Sequence, residues 1–160
     1  MKLLILSDSH GCDGEILEAI ERERDADAIY FLGDGCEDFN VAKYYYEGKH
    51  TFICVKGNIM KDDYALCPVE DIRRLGGKTI LAVHGNRQDV KFGLHSLCEY
   101  AQKHPRGIDI VLFGHTHFPE LCEVNGIHYF NPGSIREDCY GTVTITDKGV
   151  VFTHKKLGCS

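Results

Sequence analysis

Five short runs of β-branched or aliphatic residues punctuate the chain, and each ends abruptly in Asp, Asn or His beside glycine. Residues 3–6 precede Asp8 and His10, 28–32 precede Asp34, 51–55 precede Asn58, 79–83 precede His84, and 108–113 precede His115 and His117. Apolar runs this short, without polar alternation, predict strands buried on both faces. Between the first two, Asp13-Gly14-Glu15 opens a stretch with Ile16, Leu17, Ala19 and Ile20 on one face, which predicts an amphipathic helix with an Asp cap. A second helix is predicted over 38–47. A third is predicted over 89–103, where Leu94, Leu97, Cys98 and Ala101 fall at helical spacing before His104-Pro105 ends it. From Ile127 onward the pattern changes to short strands, and 141–146 and 150–154 alternate around Asp147-Lys148-Gly149 as a hairpin.

Strand and helix in alternation predict an α/β layered domain whose strands present polar residues at their carboxyl ends, where such sheets build ligand sites. A chain of 160 residues without linker or repeat is expected to form one domain, 1–160. The formal net charge of -6 argues against a nucleic acid polymer as partner, because neutralising a phosphate backbone needs clustered Lys and Arg. An anionic substrate must instead be held locally. The opening run Met1–Leu6 turns polar at Ser7-Asp8-Ser9-His10, too soon for a signal peptide or a membrane span, so a cytoplasmic protein with no membrane contact is expected. The eight cysteines (12, 36, 54, 67, 98, 122, 139 and 159) contain no C-x-x-C pair and read as reduced thiols.

Asp8, His10, Asp34, Asn58, His84, His115 and His117 offer hard oxygen and borderline imidazole donors without a thiolate, a set suited to divalent Mn, Fe, Co or Zn. Each alone has a plain structural role as a strand-end cap or turn residue. Together, at the ends of five buried strands, they point to metal. Seven donors exceed one tetrahedral ion, whereas two ions sharing a bridging carboxylate would use them all. Paired metals about 3.5–4 Å apart are a recurrent device for phosphoester hydrolysis.

Asp8-Ser9-His10, Gly33-Asp34, Gly57-Asn58, His84-Gly85 and Gly114-His115-Thr116-His117, in that order, resemble the calcineurin-like metallophosphoesterases. The short chain and Asn131-Pro132-Gly133-Ser134 most resemble the small YfcE-type phosphodiesterases of that superfamily. The resemblance implies a four-layer αββα sandwich of two mixed β-sheets flanked by helices. It also implies two divalent metal ions, Mn2+ foremost, with Zn2+, Ni2+, Fe2+ or Co2+ as alternatives. Asp8, His10 and His117 would ligate the first ion and Asn58, His84 and His115 the second, with Asp34 bridging. A hydroxide bridging the two would attack phosphorus, and Asp34, Asn58 and His84 would carry the catalysis.

Two departures from the family pattern bear on the substrate, a small phosphate ester. Relatives place a His directly after the Gly-Asn pair, or an Asp two positions after the Asn, where an acid can protonate the leaving group. This chain has Ile59 and Met60, which favours a readily departing group, and so a diester, or an acid supplied from elsewhere, such as water or a mobile loop. Asp62-Asp63 nearby reads as a solvated turn. Many relatives also have His-Gly-His where this chain has His84-Gly85-Asn86, so Asn86 is expected to alter substrate contacts, and Arg87 and Arg136 are candidate phosphate forks. Tyr44-Tyr45-Tyr46 reads as packing plus exposed surface, with a homo-oligomer contact as the alternative, and Cys12 and Cys36 receive no function. The competing readings are a phosphomonoesterase on a metabolite or phosphoprotein and, from another class, a non-catalytic protein-binding scaffold, since the retromer subunit of vacuolar sorting resembles this fold.

Overall fold

The computed structural model describes residues 1–64 and 66–158. Strands β1 (Lys2–Leu6), β2 (Ala28–Phe31) and β3 (Thr51–Cys54) run parallel, linked by helices α1 (Asp13–Arg22) and α2 (Cys36–Tyr45). On its other edge β1 pairs antiparallel with β9 (Cys139–Thr146), which turns into β10 (Gly149–Lys156), giving the order β10-β9-β1-β2-β3. The second sheet contains β4 (Glu70–Leu75), β5 (Lys78–Val83), β6 (Ile110–Leu112), β7 (Glu120–Val124) and β8 (Ile127–Asn131) in the order β4-β5-β6-β8-β7. Its β5, β6 and β8 are parallel, and α3 (His95–Lys103) lies in the crossover from β5 to β6.

The apolar runs lack alternation because both faces of the inner strands are covered. Leu3 and Ile5 meet Ile80, Ala82, Ile110, Leu112 and Phe130 between the two sheets. Leu4 and Leu6 face the other way, onto Ile16, Ala19 and Ile20 of α1 and Phe39 and Ala42 of α2. Leu81, Val83 and Val111 turn outward to Leu97 and Ala101 of α3. The result is helix, sheet, sheet, helix: the αββα sandwich of two mixed sheets. Full burial of each such side chain stabilises by about 1.5–3 kcal/mol relative to exposure.

Several sequence expectations are corrected. Strand β3 is an edge strand buried on only part of its length, not a fully buried one, because nothing pairs beyond it in the sheet. Helix α1 is not capped by Asp13, which lies in its first turn; Cys12 is the cap residue and makes no side-chain cap bond. Helix α3 begins at His95 rather than 89, because Asp89 (φ 53°) and Gly93 (φ 120°) leave the helical region and confine Val90–Phe92 to a 3-10 turn. Helix α2 begins two residues earlier than predicted. Its first N–H groups are met by a carboxylate distant in sequence, Asp62, while Asp38, the predicted starter, folds back to accept from Ser9 Oγ and Gly11 N–H.

Strands β4 and β7 carry too many charges to register as apolar runs. No helix among the described residues is long and apolar enough to cross a membrane. The seven described cysteines are free thiols, and Cys159, at the end of the predicted domain, lies outside the described residues.

Candidate metal centre

All seven predicted donors come together at the carboxyl ends of β1, β2, β3, β5 and β6. Backbone bonds tie the loops that carry them: Asp8 N–H donates to the Gly33 carbonyl (3.0 Å), His10 N–H to the Asp34 carbonyl (3.1 Å), and Gly114 N–H to the His84 carbonyl (2.9 Å). Five of the donors, Asp8, His10, Asp34, His115 and His117, sit at positive φ between 45° and 68°. That region is sparsely occupied by non-glycine residues and costs on the order of 1–3 kcal/mol each, so the surrounding structure must hold them there. Part of the hold is close approach of backbone. A Cβ added at Gly57 would lie 2.0 Å from Asp34 Oδ1, and one at Gly114 would lie 2.0 Å from Ser7 Oγ and 2.9 Å from Asp8 Oδ2.

Two triads emerge. Asp8, His10 and His117 form one, and Asp34, His84 and His115 form the other, each with its ligand atoms within 4.8 Å of one another. Asp34 stands between them, its Oδ2 3.4 Å from His84 Nε2 and 3.8 Å from His10 Nε2, while its Oδ1 accepts the N–H groups of Asn58 (2.7 Å) and Ile59 (3.1 Å). Asn58 Oδ1 lies 3.1 Å from His84 Nε2.

The atoms facing inward are acceptors without donors. Buried Asp8 Oδ1 makes no hydrogen bond, although His117 Nε2 stands 3.3 Å away and the Nε2 atoms of His10 and His84 each 4.0 Å away. His84 Nδ1 lies 2.7 Å from the Leu32 carbonyl, a contact that requires the proton on Nδ1, so that in the neutral ring Nε2 turns its lone pair into the centre. That lone pair meets Asn58 Oδ1, Asp34 Oδ2 and, at 3.1 Å, His115 Nδ1. A ring of lone pairs in a largely buried site is a cavity for positive charge.

The titration behaviour carries the same sign. Burial works against ionisation of Asp34, but the protonated form of His84 and the N–H groups of Ile59 and Asn58 outweigh it and hold the carboxyl well below its usual range. His84 loses basicity through burial yet ends raised, because Asp34 and Asp8 favour a cation there. His115 is pushed down to about 4 by burial, then by the charges of His84 and Lys91, and His117 is raised by its contact with Asp8. Residues and field therefore fit cation binding.

The predicted substrate contacts divide between two grooves. Asn86 and Arg87 line a groove of about 400 Å³ with Asn58 and His84, whereas Arg136 lines a separate one of about 340 Å³ beside His10. Ile59 is half-buried and Met60 exposed, so no acid follows Asn58 directly.

Asp62 overturns its reading as a solvated turn residue. It is fully buried, and its carboxylate accepts four backbone N–H groups: Asp34 (2.7 Å) and Gly57 (2.8 Å) at Oδ2, and Gly35 (3.1 Å) and Cys36 (3.0 Å) at Oδ1. It thus fixes the peptides on either side of Asp34 and the glycine before Asn58. Its sequence signal, an Asp four residues after the Gly-Asn pair, is too common to have singled it out. Lys56, also missed, lines the Asn58 groove while paired with exposed Asp63 at 3.1 Å. Ser134 and Asn131 brace the far side: Ser134 Oγ donates to the Asp8 carbonyl (2.8 Å) and Asn131 Nδ2 to the Gly114 carbonyl (3.1 Å).

Residues 1–155 match the family model of the calcineurin-like phosphoesterase superfamily domain. The chain is 30% identical to the probable metallophosphoesterase YsnB of Bacillus subtilis over 142 residues, covering 85% of this chain and 76% of the relative. A solved structure of a novel archaeal phosphodiesterase superposes with a TM-score of 0.76 at 22% identity, covering 98% of this chain and 100% of that one. Wild-type Vps29 from Entamoeba histolytica, complexed with Zn2+, superposes with a TM-score of 0.71 at 20% identity, covering 98% and 99%.

Proposed function

From the premise that the chain belongs to the calcineurin-like phosphoesterase superfamily and is a metal-dependent phosphoesterase, we propose that it is a dinuclear phosphodiesterase. The observation that carries the dinuclear reading is the pair of triads with Asp34 between them and lone pairs turned inward from Asp8 and His84. Asp8, His10 and His117 would hold one divalent ion and Asn58, His84 and His115 the other, with Asp34 shared. The nitrogen and oxygen donor set suits Mn2+ foremost, then Zn2+, Ni2+, Fe2+ or Co2+. Held there, two such ions would supply an acidified water as nucleophile and would offset negative charge on the phosphoryl oxygens.

The chain's own residues do the rest. Asp62 fixes the Asp34 and Gly57 peptides, so the shared carboxylate and the Asn58 amide need little reorganisation when substrate arrives. The Nδ1–H of His84, committed to the Leu32 carbonyl, keeps its Nε2 as a ligand and out of proton transfer. Arg87 and Asn86 line the His84 groove and would offer a phosphate oxygen there a fork-shaped donor and an amide. Ile59 and Met60 offer no proton to a leaving group. An alkyl monoester needs that proton badly, whereas a diester with an aryl or nucleotide leaving group can depart without it. The cysteine usage accords with a cytoplasmic enzyme of small phosphate esters.

The test is hydrolysis of bis-p-nitrophenyl phosphate beside p-nitrophenyl phosphate after chelator stripping, with Mn2+, Zn2+, Ni2+ or Mg2+ restored singly. Metal-restored turnover favouring the diester is expected. Preference for the monoester would overturn the diester assignment, and two bound ions without cleavage of either ester would move a protein-binding scaffold ahead of the enzyme.

A further inference from the structure

Three cysteines far apart in sequence meet on one flank of the first sheet, away from the histidine cluster. Cys36 opens α2, Cys54 ends β3, and Cys67 lies in the segment leading to β4. Their sulfurs all lie within 4.8 Å of one another, those of Cys36 and Cys54 at 3.4 Å, and all three are free thiols. The Cys36 and Cys54 thiols share one acceptor, the Val55 carbonyl, at 3.6 Å each. A metal 2.3 Å from three sulfurs would set them about 3.8–4.0 Å apart. The present separations, 3.4 Å for Cys36 and Cys54 and none beyond 4.8 Å, bracket that spacing.

We propose that Cys36, Cys54 and Cys67 bind a single zinc ion as a thiolate triad, distinct from the Asp and His centre. Thiolates select soft or borderline ions such as zinc, whereas the nitrogen and oxygen centre accepts harder ones, so the two sites sort metals by donor chemistry. Three thiolates and Zn2+ leave one net negative charge. Lys43 lines the adjoining groove of about 600 Å³, together with Cys54 and Cys67, and offsets it, while Arg73 in the same groove is paired with Asp71. The groove also gives water access to the fourth coordination position.

Such an ion has a structural consequence. It staples the start of α2, the end of β3 and the segment following the 3-10 turn Met60–Tyr64, which carries Asp62. Cys36 donates its own N–H to Asp62, so the staple and the Asp34 anchor share one peptide. Sequence alone could not suggest the site, because the three cysteines lie 18 and 13 positions apart, without a C-x-x-C pair.

The experiment is an anaerobic titration of the reduced, chelator-stripped full chain with Co2+, read in the near ultraviolet, where thiolate-to-cobalt charge transfer absorbs and nitrogen or oxygen ligation does not. A band of one thiolate-bound cobalt per chain, saturating within three added equivalents because the Asp and His centre also takes cobalt, bleached by Zn2+ and lost in both Cys54→Ser and Cys67→Ser, is expected. Cys67 is half-buried in an irregular segment, so Cys67→Ser should retain wild-type circular dichroism and separate ligand loss from unfolding. Cobalt binding seen only as visible ligand-field bands, without charge transfer, would overturn the proposal. So would a band that survives Cys67→Ser, or reduced protein that takes up no zinc beyond what the Cys67→Ser variant takes up.

Discussion

Replacing Asp62 by alanine removes the shared acceptor of four backbone N–H groups in a site with no exposure of its own. Each buried donor left without a partner costs about 1–3 kcal/mol, which sets a ceiling of roughly 4–12 kcal/mol for the four. The side chain's departure leaves space for a water that can satisfy some of them, so the expected loss is about 3–5 kcal/mol. Against a total stability of about 5–15 kcal/mol, that is a large share. Asp62→Asn keeps one acceptor oxygen and turns an NH2 toward two of the donors, and should cost about 2–4 kcal/mol.

Urea unfolding followed by circular dichroism gives the magnitude. Metal titration of the folded variants gives the link to the centre, where loss of a supporting residue should weaken affinity about 10–100-fold. If both variants stay within about 0.5 kcal/mol of the parent, the carboxylate is not the anchor described. If stability falls as expected but metal affinity and turnover do not change, Asp62 caps α2 without positioning Asp34.

Asp34→Asn should weaken both metals and remove turnover while the far-ultraviolet spectrum is retained; metal content by mass spectrometry and ester hydrolysis check it, and unchanged turnover would remove Asp34 from the shared position. Because Arg87 and Arg136 line different grooves, only one of Arg87→Ala and Arg136→Ala is expected to raise KM strongly, and steady-state kinetics on the diester will say which groove takes the substrate. Glu23 is buried and accepts from Lys155 Nζ (2.6 Å), Lys2 Nζ (2.8 Å) and Tyr140 Oη (3.0 Å). Burial raises its carboxyl, but these partners together bring it below the ordinary value. Its contribution is therefore present above the ordinary Glu pKa of about 4.3 and disappears as pH falls through the lowered folded value. Glu23→Gln should cost about 1–3 kcal/mol at neutral pH, since both lysines stay partly exposed and Lys2 keeps Asp25, and should flatten the acid limb of a stability-against-pH curve; a limb of unchanged steepness would count against it.

The sequence by itself determined the inner strands and the donors that follow them. A strand covered on both faces needs an unbroken apolar run, and a polar residue ends that run wherever the chain leaves the core, so residues 3–6 and 79–83 announced both β1 and β5 and the ligands beyond. The sandwich itself followed only from the family resemblance that the ordered motifs carry. Strands β4 and β7 were less legible, since both are only partly buried and interleave charged with apolar residues.

What tertiary structure alone decided are relations between residues distant along the chain. The start of α2 follows from Asp62, 26 positions later, and no local capping rule can see that bond. Asp62-Asp63 is a pair in which one carboxylate is fully buried and its neighbour exposed, a difference made by where the 3-10 turn packs rather than by residue type. The separation of Arg87 from Arg136 and the meeting of Cys36, Cys54 and Cys67 belong to the same class. Periodicity reports whether a side chain faces the core, but only the folded chain determines which other side chains it finds there.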